Sequence, residues 1–407
     1  MEQLLPMSLI QLNKLDILQR AQRREITQKQ ASEMLNVKER TVRRQLARLK
    51  TEGPVSLQHG LKGQSSNNAL PVKEVKKIED LLIKKYNDFG PTLATEKLEE
   101  LHGIKRHPKT IGVIQIRLGL FKPKRTRKKV VHRTWRLRRA LFGELVQFDG
   151  SYHDWFEGRG GIDEACLLLA IDDATGNILH AKFDKHEGVL PVMAFWLDYA
   201  NIQGIPKEIY MDRFSTYSMN MKLAAENPDT LTQFERVCRE IGTRAIHAYS
   251  SQAKGRVERV FKTLQDRLVK EMRIEDISGV KEANIFLKEL FIPMFNKRFG
   301  KEARVKGNLH RLPSKTELQD ILPYIFCRLK SRVIQNDFTI SYDNRWIQIL
   351  PTKRLAVRPK ERIEVHELPD ESIHLFIRGK MVNYSIIPKP QRLKKNNQKF
   401  IKTLVYS

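Results

Sequence analysis

The stretch Ala165–Phe183, ACLLLAIDDATGNILHAKF, decides the fold. An apolar run meets the turn residues Thr175-Gly176-Asn177 and then a second strand-like run, the pattern of a β-hairpin. Immediately upstream, GELVQFDGSYHDWF (143–156) is also strand-rich. Downstream the period changes. GVLPVMAFWLDYANIQG (188–204) reads as an amphipathic helix, PKEIYMDR (206–213) as a strand, LTQFERVCREIG (231–242) as a helix and TRAIHAYS (243–250) as a strand. In YSSQAKGRVERVFKTLQDRL (249–268), Val257, Phe261, Leu264 and Leu268 recur at three- and four-residue steps, so a final helix is expected there. Three strands, helix, strand, helix, strand, helix predict a mixed α/β layer built on one five-stranded sheet over residues 141–275.

The front of the chain is helical. In ITQKQASEMLNVKERTVRRQLARLKTEG (26–53) a short helix directs Ala31, Met34 and Leu35 inward and Asn36-Val37 turns. A second helix then buries Val42, Leu46 and Leu49, which is the pattern of a helix-turn-helix within residues 1–60. Arg40, Arg43, Arg44 and Arg48 project from the other faces of that second helix, where they can reach phosphates and guanine edges. A small bundle with a solvated basic face has the same pattern, but the concentration of arginines on the second helix favours DNA binding. A second helical DNA-binding unit is expected over 72–120, with Pro91 in a first helical turn, Gly103 and Gly119 at helix ends, and Lys109–Arg117 as its reading helix.

Between Arg117 and Arg139 lie eleven Lys or Arg and no acid. This basic linker (121–140), with Lys124, Arg125, Arg127, Lys128 and Lys129 at its centre, would track a phosphate backbone through salt-sensitive contacts. After the α/β region a helical stretch (Val280–Arg298) and an exposed basic connector fill 276–330. Short strands with turn signals at Asp343-Asn344, Pro369-Asp370 and Arg378-Gly379 predict a small β-barrel over 335–390, followed by a basic tail at 391–407.

The whole chain of 407 residues carries 74 Lys plus Arg against 47 Asp plus Glu, a formal charge of +27, which favours a polyanionic partner. With no signal peptide, lipidation motif or apolar run approaching twenty residues in view, nucleic acid is preferred to a membrane, and a cytoplasmic place is expected. Cys166, Cys238 and Cys327 are scattered in apolar surroundings with no CxxC pair, so buried reduced thiols are expected rather than a zinc finger.

Three acids occupy places where a carboxylate is costly. Asp149 lies inside the first strand, Asp212 ends an otherwise apolar strand, and Glu258 follows Val257 at the edge of a buried helical stripe. Acids from separate elements can hold hard divalent cations such as Mg²⁺ through oxygen, and two such ions can drive in-line attack on a phosphodiester. Lys254, Arg256 and Lys262 around Glu258 would hold the substrate strand. On pattern alone, ordinary surface acids explain the three equally well. Asp154, Asp163, Glu164, Asp172, Asp173, Asp184 and Asp266 compete with them, and Asp172-Asp173 before Ala-Thr-Gly reads as a turn.

The segments QFDGSYHDWFEGRG, LLLAIDDATG, MDRFSTY, LTQFERVCREIG and SSQAKGRVERVFKTLQDRLVKE resemble the integrase-core DDE transposases, and more narrowly the ISNCY-type bacterial insertion-sequence transposases. The front end, including FGPTLATEKLEELHG, fits the same group. The resemblance implies an RNase H-like core in which Asp149, Asp212 and Glu258 are the catalytic, metal-binding acids, with Mg²⁺ or Mn²⁺ as a pair of ions. It also implies cleavage at transposon ends and strand transfer into double-stranded target DNA. Terminal inverted repeats would be recognised by the helical domains of a dimer or larger synaptic assembly, associated with a bacterial nucleoid. The forty-five residues between Asp212 and Glu258 exceed the retroviral-type spacing, Arg213-Phe214 replaces Asn-Gly, Ser251 replaces Pro, and the retroviral zinc module is absent. An inactive, DNA-binding regulator derived from a transposase and a structure-specific nuclease of the same fold are the competing readings.

Overall fold

The computed structural model describes residues 7–57, 69–123, 137–212, 227–248, 255–350 and 355–388, in two units that divide between Arg125 and Thr126. The basic residues Lys124, Arg125, Arg127, Lys128 and Lys129, together with Lys254, Arg213, Phe214 and Ser251, lie outside the described residues.

In the first unit, α1 (Leu9–Gln22), α2 (Gln28–Met34) and α3 (Glu39–Glu52) enclose one small core. Ser8 with Gln11 and Thr27 with Gln30 form reciprocal capping boxes, so the starts of α1 and α2 are written in the Ser/Thr-x-x-Gln spacing. Asn36 turns the chain between α2 and α3 with φ of 50°, a conformation that asparagine tolerates better than most residues. Ala31, Val42 and Leu49 are buried, and Leu35 and Leu46 pack against them, as expected. Met34, expected inside, is 53% exposed, because α2 turns only its Ala31–Leu35 side inward. Ile17 and Leu18 of α1 fill the space instead. The next three helices fall within the predicted 72–120 unit: α4 (Val72–Lys84), α5 (Pro91–His102) and α6 (Pro108–Arg117). Pro91 opens α5, and Gly103, at φ of 66°, closes it in the left-handed conformation that only glycine adopts cheaply.

The second unit begins with the α/β core. Its elements are β1 (Leu145–His153), β2 (Ala165–Asp172), β3 (Ile178–Asp184), α7 (Val189–Gln203), β4 (Glu208–Asp212), α8 (Asn227–Ile241), β5 (Arg244–Ala248) and α9 (Val257–Ile274). They occur in the predicted order. The sheet runs β3-β2-β1-β4-β5, with β1/β2 and β2/β3 antiparallel and β1/β4 and β4/β5 parallel. Helices cover both faces, which is why β2 is buried throughout and reads as an unbroken apolar run. On one face, Phe148 meets Phe195 and Trp196 of α7 with ring centroids 5.2 and 5.4 Å away, and Phe234 of α8 closes the cluster. On the other, Leu167, Leu169 and Ile171 pack against Val257, Phe261, Leu264 and Leu268 of α9. Cys166, Cys238 and Cys327 are buried and unpaired; burial pushes the thiols of Cys238 and Cys327 up to about 12, which leaves them unreactive.

Beyond α9, α10 (Val280–Phe286) and α11 (Ile292–Phe299) are joined by a π-helical turn, Leu287–Phe291. A second π turn, Glu317–Ile321, leads into α12 (Leu322–Ile325). Each ends just before an X-Pro pair, Ile292-Pro293 and Leu322-Pro323. Widening the turn there accommodates a ring that removes one N–H and crowds the preceding carbonyls.

The basic connector between α11 and α12 is exposed, as expected, but it is stitched to the core. Leu309 N–H donates to Phe142 O at 2.9 Å, and Ile205 and Arg311 exchange two backbone bonds of 2.8 Å. His310 turns inward between Tyr199 Oη and Asn308 Oδ1, each 2.7 Å away. A Cβ on Gly143, whose φ is 74°, would collide with His310 Nδ1. Gly143→Ala should therefore lower stability by about 2–5 kcal/mol, the sum of left-handed strain and overpacking. Denaturant unfolding checks this, and a loss below about 1 kcal/mol would mean that the connector is not seated there.

Burial also lowers His310 and His180 to about 4, so both are neutral in the fold. Unfolded histidine takes up a proton below about 6.5 while these two do not, so the unfolded state gains as pH falls. Stability is expected to be complete above pH ~6.5 and to fall towards pH 4 by about 1.4 kcal/mol per unit for each histidine. Urea titrations across that range should show a shallower decline for His310→Gln; an identical slope would exclude the residue as a source.

The terminal strands are β6 (Arg328–Val333), β7 (Thr339–Tyr342), β8 (Arg345–Ile349), β9 (Arg362–Glu367), β10 (Ile373–Ile377), β11 (Lys380–Val382) and β12 (Tyr384–Ile387). The expected turns at Asp343-Asn344 and Arg378-Gly379 close hairpins with positive φ at both central residues. The expected closed barrel is not found among the described residues. Two sheets, β11-β10-β9-β6 and β12-β8-β7, share one core of Ile334, Ile347, Ile363, Val365, Leu375 and Ile377 instead. The module also starts earlier than the predicted 335, because β6 pairs along the whole of β9. Gln233 of α8 pins β6 to the α/β core through two bonds to the Leu329 backbone, of 2.9 and 3.0 Å.

Candidate active site

The apolar pattern of β1 stops at Asp149. Leu145–Phe148 are buried, whereas Asp149 is only partly covered. β1 and β4 pair in parallel from Leu145↔Glu208 to Gln147↔Tyr210. The same register carried two residues further puts Asp149 level with Asp212, the last residue of β4, which itself pairs with Ala248 of β5. Asp212 ends β4, and Asp149 lies at the middle of β1, two residues past the last β1/β4 pair, Gln147↔Tyr210.

Asp149 pairs with Leu169, whose side chain packs beneath α9, so Asp149 belongs to the face that α9 crosses. Gln265 of α9 donates to Ser151 Oγ at 3.4 Å, two residues beyond Asp149 on that same face. Glu258 is the second residue of α9, exposed beside the buried Val257. The carboxylate of Asp212 lies outside the described side chains. Among those described, no three His, Cys, Asp or Glu groups come together closely enough to hold a metal ion.

The other expected contacts divide. Lys262 is exposed one turn after Glu258. Arg256, expected to hold a substrate phosphate, directs its guanidinium onto Asp173 instead, and its side chain is 19% exposed. Arg40, Arg43, Arg44 and Arg48 are all exposed on α3; Arg43 and Arg48 make surface ion pairs with Glu39 and Glu52, at 3.8 and 3.0 Å.

Asp172 and Asp173 do more than turn the chain. Asp172 accepts from Thr175 N–H at 2.8 Å, Thr175 Oγ1 at 2.7 Å and Gly143 N–H at 3.0 Å, and its burial pushes the carboxyl above the usual range. Asp173 Oδ1 accepts from Gln147 Nε2 at 2.6 Å as well as from Arg256, and Oδ2 accepts from Arg139 N–H at 2.8 Å. Sequence reading missed this hub. Its signal was two acids at the end of a wholly apolar strand, which a turn explains equally well.

Residues 13–65 match the model of a family described as a helix-turn-helix domain. A Sinorhizobium fredii protein named as transposase y4bF is 33% identical over 390 residues, covering 96% of this chain and 84% of that protein. The transposase for insertion sequence IS1202 of Streptococcus pneumoniae is 30% identical over 395 residues, covering 87% and 82%. Among solved structures, a chain of the simian T-cell lymphotropic virus intasome in complex with PP2A regulatory subunit B56 gamma overlaps 77% of this chain and 100% of its own, at 14% identity and a TM-score of 0.33. The magnesium-bound catalytic core of HTLV-2 integrase overlaps 37% and 91%, at 16% identity and a TM-score of 0.27. Structural overlaps that low carry no weight beside the sequence relatives. No helix among the described residues is long and apolar enough to cross a membrane. Sharing about a third of its residues with such proteins along nearly its whole length, the chain belongs to the insertion-sequence transposases, and its function is DNA transposition.

Proposed function

We propose that this transposase cuts and joins DNA with Asp149, Asp212 and Glu258 as its catalytic carboxylates, in a core of RNase H-like type. The observation that carries the reading is the parallel pairing of β1 with β4, whose register, extended two residues past Gln147↔Tyr210, aligns Asp149 with Asp212, on a sheet whose Asp149 face is crossed by the helix bearing Glu258. Carboxylate oxygens alone form a hard donor set, which suits Mg²⁺ or Mn²⁺ and offers nothing to a soft metal. Such ions, bound as a pair, supply an activated water or 3′-hydroxyl and neutralise charge on the leaving oxygen of an in-line displacement.

The rest of the chemistry belongs to the chain. Lys262 and Lys254 hold phosphates of the strand beside Glu258, and the basic segment around Lys124–Lys129 follows the DNA backbone. α3 enters a major groove of the terminal inverted repeat, with Arg40 and Arg44 foremost among its arginines. A dimer or larger assembly brings two ends together with a double-stranded target.

The test is joining. Oligonucleotides carrying the element's end with a pre-cut 3′-hydroxyl should be inserted into target DNA in the presence of Mg²⁺ or Mn²⁺. Cleavage of ends without any joined product would instead identify a nuclease.

A further inference from the structure

We infer that Arg256, acting through Asp173, is the positioning residue that sets Glu258 against Asp149; the inference rests on the catalytic reading of those two acids. Arg256 is the N-cap of α9, has helical dihedrals and makes no side-chain cap bond. Its guanidinium reaches the carboxylate of Asp173, which is 0% exposed. The same Asp173 oxygen accepts from Gln147 Nε2 at 2.6 Å, and Gln147 precedes Asp149 by two residues on the same face of β1. One buried carboxylate therefore ties the strand of Asp149 to the helical turn of Glu258. The other end of α9 is held separately, by Arg273 on Glu157 at 2.6 Å, and its middle by the apolar stripe. The Arg256–Asp173 pair sits beside the turn that carries Glu258, next to the buried Val257, and removing one partner of a largely buried ion pair is costly.

The experiment compares Arg256→Met, Arg256→Lys, Asp173→Asn, the Arg256→Met/Asp173→Asn double variant and Glu258→Gln in the full chain. It reads joining of pre-cut ends at saturating DNA, Mn²⁺ binding by calorimetry, end binding against salt concentration, and Tm. Arg256→Met and Asp173→Asn should each slow joining by about 10–100-fold, the scale of a misplacement near 1 Å. Each should also weaken Mn²⁺ binding, the double variant should be no worse than the stronger single one, and Arg256→Lys should recover part of the loss. The salt dependence of end binding should not change.

If Arg256→Met alone reduced the salt slope by about one, while Asp173→Asn did not, Arg256 would be a phosphate contact and the inference would fail. It would fail equally if joining and Mn²⁺ binding matched the wild type, or if the loss followed only the unfolded fraction. An active Glu258→Gln would overturn the catalytic reading itself. An inactive Glu258→Gln beside fully active Arg256 and Asp173 variants would overturn this inference alone.

Discussion

Asp149→Asn is expected to reduce both end cleavage and joining by at least about a thousandfold, since several kcal/mol of transition-state stabilisation pass through the ions that the carboxylates hold. Asp212→Asn and Glu258→Gln should have effects of the same size. The substitutions are isosteric and remove one negative charge each, so the core should remain folded. Binding of transposon ends should persist within a fewfold, because the helix-turn-helix residues 13–65 lie in the first unit and the three acids in the second. Gel-shift and cleavage assays on one labelled end fragment would separate the two properties. Retained nicking by any of the three variants, with metal present, would remove that residue from the reaction.

The second large effect is expected on α3. Arg40 and Arg44 are exposed and one turn apart, on the helix whose buried side is Val42 and Leu49. Arg43 and Arg48 have glutamate partners on the same helix, although exposed pairs of that kind are worth little and yield readily to a phosphate. A bidentate arginine–guanine contact contributes about 1–3 kcal/mol of discrimination. Arg40→Ala/Arg44→Ala should therefore weaken specific end binding by roughly 10²–10⁴-fold, while binding to unrelated duplex falls much less. Competition titrations at fixed salt measure both. Equal losses on specific and unrelated DNA would show that these arginines touch only phosphates, and α6 would become the better candidate for base reading.

Much of this was legible because each strong sequence signal had a single physical meaning. The apolar run of β2 could only be a strand covered on both sides, and Pro91 with Gly103 could only bracket a helix. The spacing of Val257, Phe261, Leu264 and Leu268 gave both the α9 helix and the edge on which Glu258 stands. What escaped depends on long-range partners. Nothing local distinguishes Asp173 from a turn residue, since Gln147 and Arg256 lie far from it in the chain. Arg256 looked like its basic neighbours because charge, unlike apolar periodicity, carries no direction. Alternation and turn residues correctly gave the strands of the terminal module, yet the same alternation serves a closed barrel or two packed sheets, and only the pairing of β6 with β9 separates them. Residues 213–226, which follow Asp212, lie outside the described residues, and α8 begins at Asn227, earlier than the predicted start at Leu231.

The most direct test is to locate the metal. Crystals of the transposase with Mn²⁺ should give an anomalous peak bonded within about 2.5 Å to carboxylate oxygens of Asp149 and Asp212, with Glu258 completing the same pocket. A peak elsewhere, or three carboxylates held more than about a dozen ångströms apart with Mn²⁺ at saturation, would contradict the assignment of these residues to the reaction.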